Sequence, residues 1–247
     1  FEKDELKIDV RCIKKLCYMG IPMGLQYSIT AIGSVILQTS VNNLGSDVVA
    51  SVAAGSKISA FLCCPFDALG STMAVYAGQN VGARKLERIS QGIKSSIIIG
   101  SAYSIIALIV SIFFGKSIAL IFIDSSEAQI LSQVIKYLIM TATFYIPLCF
   151  VNVVRFTIQG MGYSMFAILA GVCEMIARTV CGFVLVPIFG YIAVCFASPV
   201  AWICADAFLI PAYGAVLKDL KKEIDITIHE EQMLEGEVVK AVSYTHL

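Results

Sequence analysis

Charged residues are scarce over most of this 247-residue sequence, and those that interrupt its apolar runs are the candidates for chemistry. Glu174 and Arg178 are four residues apart, so they share one face of a helix. Gly171 and Gly182 lie on that face, where small residues let another helix approach closely. Three further charged residues stand in apolar surroundings: Lys57, Asp67 and Asp206. A charge at mid-membrane costs about 2.5–3.5 kcal/mol, so each predicts a structural ion pair or a protonatable functional group.

Polar side chains also recur in two rows at roughly four-residue spacing, which gives a helix a polar stripe. The first row is Gln26, Thr30, Ser34, Gln38 and Asn42. The second row is Thr141, Tyr145, Asn152, Arg155 and Gln159. Hydrocarbon cannot satisfy Gln and Asn amides, so the rows predict a water-accessible cleft between helices, with polar packing between helices as the alternative.

A third group suits an organic cation. Pro199, Trp202, Asp206 and Tyr213 share one helical face and would form an aromatic, anionic wall. By contrast, the two histidines, His229 and His246, both fall near the end of the chain, and the nine cysteines include no Cys-x-x-Cys pair. We therefore predict no catalytic residue, no metal site and no cofactor.

The composition sets the solvent in which these residues must work. Hydrophobic residues make up 58% of the chain and charged residues 15%, with a mean hydropathy of +0.83. Soluble domains average about 45–50% apolar and about 25% charged residues, so one soluble core could not hide this excess. The 18 basic and 18 acidic residues cancel, which provides no field for nucleic acid. The lipid bilayer is the predicted partner.

Long runs without charge predict an all-α fold, a polytopic membrane protein with a bundle of six transmembrane helices. The predicted helices are Ile21–Leu44, Val49–Gln79, Ser95–Ile123, Ser132–Gln159, Ser164–Pro187 and Tyr191–Leu217. The bundle occupies residues 18–217. Residues 1–17 read as a cytoplasmic linker helix that follows another domain, and residues 218–247 as a solvated cytoplasmic tail, whose last five residues fit no pattern and are given no role.

Lys and Arg are concentrated in alternate connections. Residues 3–15 hold five of them, residues 84–94 hold four and residues 218–222 hold three, whereas residues 42–48 and 188–190 hold none. Cytoplasmic connections of membrane proteins are enriched in basic residues. The pattern predicts a multi-pass protein of the plasma (inner) membrane with both ends in the cytoplasm.

An ordered set of short motifs carries a family resemblance. Residues 78–85 read Gly-Gln-Asn-Val-Gly-Ala-Arg-Lys and are followed by Glu87, Arg88 and Gly92. Further pieces are Gly20-Ile21-Pro22, Phe122-Ile123-Asp124 and Gln159-Gly160-Met161-Gly162. In order and spacing, residues 11–218 resemble the C-terminal six-helix lobe of the multidrug and toxic compound extrusion (MATE) family.

The resemblance implies secondary active efflux of small organic, often cationic, compounds in exchange for sodium ions or protons by alternating access. It also implies a twelve-helix protein, of which this chain is a fragment whose partner is a missing N-terminal six-helix lobe. The residues assigned to the substrate pathway are Gln26, Thr30, Ser34, Gln38, Asn152, Arg155, Gln159, Trp202 and Tyr213. Those assigned to ion coupling are Asp67, Glu174, Arg178 and Asp206.

One departure from the family limits this assignment. A branch of the family binds sodium through acids in the first and fourth helices of this lobe, but residues 21–44 and 132–159 contain no Asp or Glu. Two alternatives stay open: a lipid-linked oligosaccharide flippase of the same superfamily, and a half-transporter subunit without independent activity. A membrane-embedded enzyme is disfavoured because no Ser-His pair or metal motif is present.

Overall fold

The computed structural model describes residues 9–245, and within that range the chain is almost entirely helical. The helices are α1 Val10–Asn42, α2 Ser46–Gly82, α3 Leu86–Ala119, α4 Ala128–Ala142, α5 Tyr145–Gly160, α6 Ser164–Val180, α7 Val186–Phe189 and α8 Tyr191–Thr245. A π-helical turn, Cys181–Leu185, joins α6 to α7. Five segments are long and apolar enough to cross a membrane, and the bent pair α4–α5 makes a sixth. The all-α, six-span fold predicted from the sequence is confirmed.

Two predicted spans are interrupted. The sequence predicts one span over Ser132–Gln159 in which Pro147 favours a bend, and α4 and α5 meet at 52° across residues 143–144. Pro147 lies in the first turn of α5, where its missing N–H and its ring disfavour an unbroken helix from α4. The helix predicted over Ser164–Pro187 contains the π-helical turn, which periodicity could not show because one inserted residue hardly changes an apolar run.

The outer ends of the bundle also differ from the predicted boundaries. Helix α1 begins at Val10, where the Asp9 carboxylate accepts a hydrogen bond from the backbone N–H of Arg11 at 2.8 Å, and it continues through residue 17 without a break. The rest of the predicted linker, residues 1–8, lies outside the described residues, as do residues 246–247. Helix α8 continues through residue 217 to Thr245, so the predicted solvated tail is helical as far as the structure describes it.

The packing leaves a groove between the first two helices. Helix α1 packs mainly on α6 and α2 mainly on α5, while α1 and α2 touch each other little. The groove has a volume of about 540 Å³ and is lined by all four helices. Met23 of α1 and Val75 of α2 contribute to its sides, and Phe156 and Gln159 of α5 to its inner surface. This arrangement places Gln159, at the end of the polar row on α5, in the lining of the groove.

Candidate functional site

Glu174 lies between two arginines inside the bundle. One guanidinium nitrogen of Arg155, from α5, donates to Oε1 of Glu174 in α6. Nη2 of Arg178, one turn further along α6, lies 3.2 Å from Oε2 of the same carboxylate. The three residues are only 6%, 2% and 7% exposed in the order Arg155, Glu174, Arg178. A carboxylate shared by two guanidinium groups satisfies most of the hydrogen-bonding capacity of a buried charge.

The same cluster reaches α1 by two hydrogen bonds. Arg178 Nη1 donates to the carbonyl oxygen of Thr30 at 3.4 Å, and Gln159 Nε2 donates to Oε1 of Gln26 at 2.6 Å. A Cβ added to Gly33 of α1 would lie only 3.0 Å from the Cα of Met175, so the absence of a side chain at Gly33 allows α1 to approach α6 closely. Polar contacts therefore join α1, α5 and α6 near the centre of the lobe.

Asp206 of α8 adds a second carboxylate beside this cluster. It interacts electrostatically with Arg155 and Glu174, yet its buried Oδ1 has no hydrogen-bond partner among the residues that the structure describes. Within the same described part of the chain, partners are also lacking at Oγ1 of Thr30, Nε of Arg155 and Oε1 of Gln159. Buried polar atoms are nearly always hydrogen-bonded, so unused capacity concentrated here indicates room for water, an ion or a polar ligand group.

The first predicted polar row divides between the interior and the surface. Gln26 is buried and Thr30 is half-buried, whereas Ser34 and Gln38 are exposed on the lobe. The Ser34 hydroxyl donates to the Thr30 carbonyl at 3.2 Å, and Gln38 Nε2 donates to Oδ1 of Asn42 at 3.0 Å. Gln26 and Thr30 thus belong to the cluster, whereas Ser34 and Gln38 present polar groups on the outside of the lobe.

The second predicted row lies inside throughout. Thr141, Tyr145, Asn152, Arg155 and Gln159 are all buried. Tyr145 exchanges a hydrogen bond of 3.0 Å with Ser59 of α2, a contact that sequence reasoning missed because the two residues are 86 positions apart.

Three predicted residues lie apart from the cluster. Asp67 is exposed on α2, where Asn152 Nδ2 donates to its Oδ1 at 3.2 Å. Trp202 is buried against Tyr145, with ring centroids 6.3 Å apart. Tyr213 shares a hydrogen bond of 2.9 Å with Ser90 of α3. Of the predicted aromatic wall, Trp202 and Tyr213 make contacts within the lobe, and Asp206 joins the charged cluster.

Comparison with known proteins places this geometry in a family. The MatE family model matches residues 22–185, about two thirds of the chain. The chain belongs to the MATE family. MATE proteins are membrane transporters and not enzymes, which agrees with the polytopic fold and its buried charges.

Individual relatives are distant from this MATE chain. It is 22% identical over 157 residues to the probable multidrug resistance protein YoeA of Bacillus subtilis, covering 64% of this chain and 34% of the relative. It is 22% identical over 162 residues to an FAD transporter of Shewanella oneidensis, covering 66% of this chain and 35% of that relative. A crystal structure of MATE in complex with MaL6 superposes with a TM-score of 0.81 at 16% identity, covering 90% of this chain and 50% of that one. The chain thus spans about a third of these curated relatives and half of the solved protein.

Proposed function

We propose that this chain forms the C-terminal six-helix lobe of a transporter that exports small organic, often cationic, compounds from the cell. Transport is driven by antiport with protons or sodium ions and proceeds by alternating access across the plasma membrane, with both ends of the lobe in the cytoplasm. The observation that carries the proposal is the buried Arg155–Glu174–Arg178 cluster with Asp206 beside it.

The cluster gives a physical route for coupling. Glu174 accepts from two guanidinium groups, whereas the buried Oδ1 of Asp206 accepts from no donor in the described part of the chain. A proton or cation at Asp206 would change the net charge of a site that joins three other helices. Because buried charges are tolerated only when paired, such a change would favour a different helix arrangement. Asp206 is therefore the proposed coupling residue, and Glu174 and Arg178 hold the site together.

Substrate would enter through the groove between α1 and α2. Its lining is mostly apolar, with Gln79, Gln159 and Ser164 as polar side chains, and this chemistry suits organic compounds with few polar atoms. The relative from Bacillus subtilis is described as a probable multidrug resistance protein, which supports this substrate class. A complete substrate site would need the second lobe facing this groove, in keeping with the partial coverage of the relatives.

Efflux from cells that express the complete reading frame tests the proposal. Ethidium export is measured at several pH values with and without sodium, in the wild type, Asp206→Asn and the matched control Asp47→Asn, an exposed carboxylate. We expect Asp206→Asn to lose the dependence of efflux on the driving ion while the control keeps it. Unchanged coupling in Asp67→Asn, Glu174→Gln and Asp206→Asn would refute coupling through this lobe.

The flippase alternative makes a different prediction. A lipid-linked pyrophosphate needs a clear excess of buried cations, but the two arginines here stand beside two carboxylates, Glu174 and Asp206. One relative is an FAD transporter, so the assay includes a flavin nucleotide as an anionic substrate. Export of the flavin without export of ethidium would contradict the cationic substrate class. Ethidium export by the chain expressed alone would contradict the second alternative, a half-transporter subunit without independent activity.

A further inference from the structure

The segment of α8 beyond the last apolar span is attached to the bundle. Its apolar residues Leu217, Leu220 and Ile224 join the same hydrophobic cluster as Leu86 and Ile89 of α3. Their spacing of three and four residues puts them on one face of α8. The remaining faces of this segment are thereby held in a defined position against the beginning of α3.

A basic pocket forms where this segment faces the α2–α3 turn. Two adjoining cavities, of about 540 and 600 Å³, share Lys221 and Asp225. Six basic residues line the two cavities: Arg84, Lys85, Arg88, Lys218, Lys221 and Lys222. Among the described side chains, two carboxylates, Glu87 and Asp225, and the imidazole of His229 also line the cavities. The basic pocket therefore has the charge of a site for an anion.

The backbone of the α2–α3 turn positions two of the basic side chains. Arg84 has a φ of 56°, the left-handed conformation that favours glycine. The backbone N–H of Arg84 donates to the Val81 carbonyl oxygen at 2.9 Å, and the backbone N–H of Lys85 donates to the Asn80 carbonyl oxygen at 2.8 Å. These two bonds define a Schellman turn. The turn after α5 has the same two bonds, with Gly162 at the corresponding position. The α2–α3 turn thereby places Arg84 and Lys85 next to each other in the lining of the basic pocket.

The surroundings identify the anion as a lipid. Arg88 begins a face of α3 that continues, eleven and eighteen residues on, with Ile99 and Ile106, which are 59% and 56% exposed. A rise of about 1.5 Å per residue puts Ile99 about 16 Å below the basic pocket, within reach of acyl chains in the near half of the hydrocarbon layer, whereas Ile106, about 27 Å below, lies in the far half. A free anion would make no contact with this apolar surface, whereas the acyl chains of a lipid would pack along it.

We propose that the basic pocket binds the phosphate headgroup of an anionic phospholipid, with its acyl chains along α3. The inference is independent of the transported substrate and of the coupling ion. Basic pockets between helices at the membrane surface are known to hold such headgroups. Binding there would fix the position of α8 relative to α3, so lipid composition would affect the stability of the lobe.

Native mass spectrometry of the full chain in detergent tests this site. The delipidated protein is titrated with dioleoylphosphatidylglycerol or with dioleoylphosphatidylcholine, and bound lipid is counted. Each basic group near an anionic lipid adds about fivefold in affinity. We therefore expect the substitutions Lys218→Gln, Lys221→Gln and Lys222→Gln together to weaken phosphatidylglycerol binding about a hundredfold, and to leave phosphatidylcholine binding unchanged.

Two controls separate binding from folding. Lys57→Gln, Lys116→Gln and Lys136→Gln together remove the same charge from exposed positions elsewhere and should change the affinity less than about twofold. Arg84→Gly removes one base while relieving the backbone, so it should weaken lipid binding without lowering the melting temperature. Equal affinity for the two lipids, equal losses in both triple variants, or displacement of the lipid by excess inorganic phosphate would overturn the proposal.

Discussion

Replacing Glu174 by Gln tests whether the buried charges hold α1, α5 and α6 together. The substitution leaves Arg155 and Arg178, which are 6% and 7% exposed, without the carboxylate that both contact. Removing one partner of a buried ion pair costs about 3–5 kcal/mol. Asp206 interacts with Arg155 and offsets part of this loss. We therefore expect the free energy of unfolding to fall by about 3 kcal/mol, the lower end of that range.

Unfolding can be followed through Trp202, the single tryptophan, which is buried and would become exposed during an SDS titration in detergent micelles. Arg155→Gln should also destabilise the lobe, and the double variant with Glu174→Gln should lose less than the sum of the two. Glu127→Gln, an exposed carboxylate between α3 and α4, is the control and should stay within about 0.5 kcal/mol. Additive losses, or a loss below about 1 kcal/mol for Glu174→Gln, would refute the reasoning.

Three further predictions concern the backbone and a connecting turn. Gly160→Ala should lower the free energy of unfolding by about 1–3 kcal/mol, because the added Cβ would collide with the α2 backbone. Gly24 lies in open space, so Gly24→Ala should raise the free energy of unfolding by about 0.5–1 kcal/mol. SDS titration measures both changes. Arg84→Gly should stabilise the α2–α3 turn by about 1 kcal/mol in the same assay, and a loss would show that the side chain outweighs the strain. The backbone N–H of Ser126 donates to Asp124 at 2.9 Å and lowers the pKa of that exposed carboxyl below its ordinary value of 3.8. Because the pKa of Asp124 is lower in the folded state, protection of the Ser126 amide from hydrogen exchange should be complete above pH 3.8 and should disappear as the pH falls through the folded-state pKa. Protection that persists below the folded-state pKa would contradict this prediction.

The spans were predictable because their length and hydropathy are properties of local sequence. The predicted end of the first span and the predicted start of the last span, Leu44 and Tyr191, agree with the structure within two residues, whereas α1 begins well before Ile21 and α8 continues well beyond Leu217. The Glu174–Arg178 pair was equally accessible, since a spacing of four residues fixes proximity in any helix. Local information therefore gave the fold class and half of the charged cluster.

The other half of the charged cluster depends on tertiary packing. Nothing in the sequence indicates that Arg155 meets Glu174 or that Gln159 meets Gln26, because those pairs are 19 and 133 residues apart. Pro147 favoured a bend in the fourth span, but the angle and the complete break at residues 143–144 were not predictable, because a proline is compatible with either a kink or a first helical turn. The exposure of Asp67 was likewise open, since an acid in an apolar run can face inward or towards a second lobe.

The bend between α4 and α5 has a mechanical consequence. Helix α4 packs with the first half of α2 and the end of α3 in its own hydrophobic cluster, which includes Ile58, Ala119 and Val134. Helix α5 belongs to the larger cluster, with Tyr145 and Ile158 among its members. The lobe is thus jointed, and a change of angle at residues 143–144 would reorient one end of the bundle while each cluster keeps its internal packing.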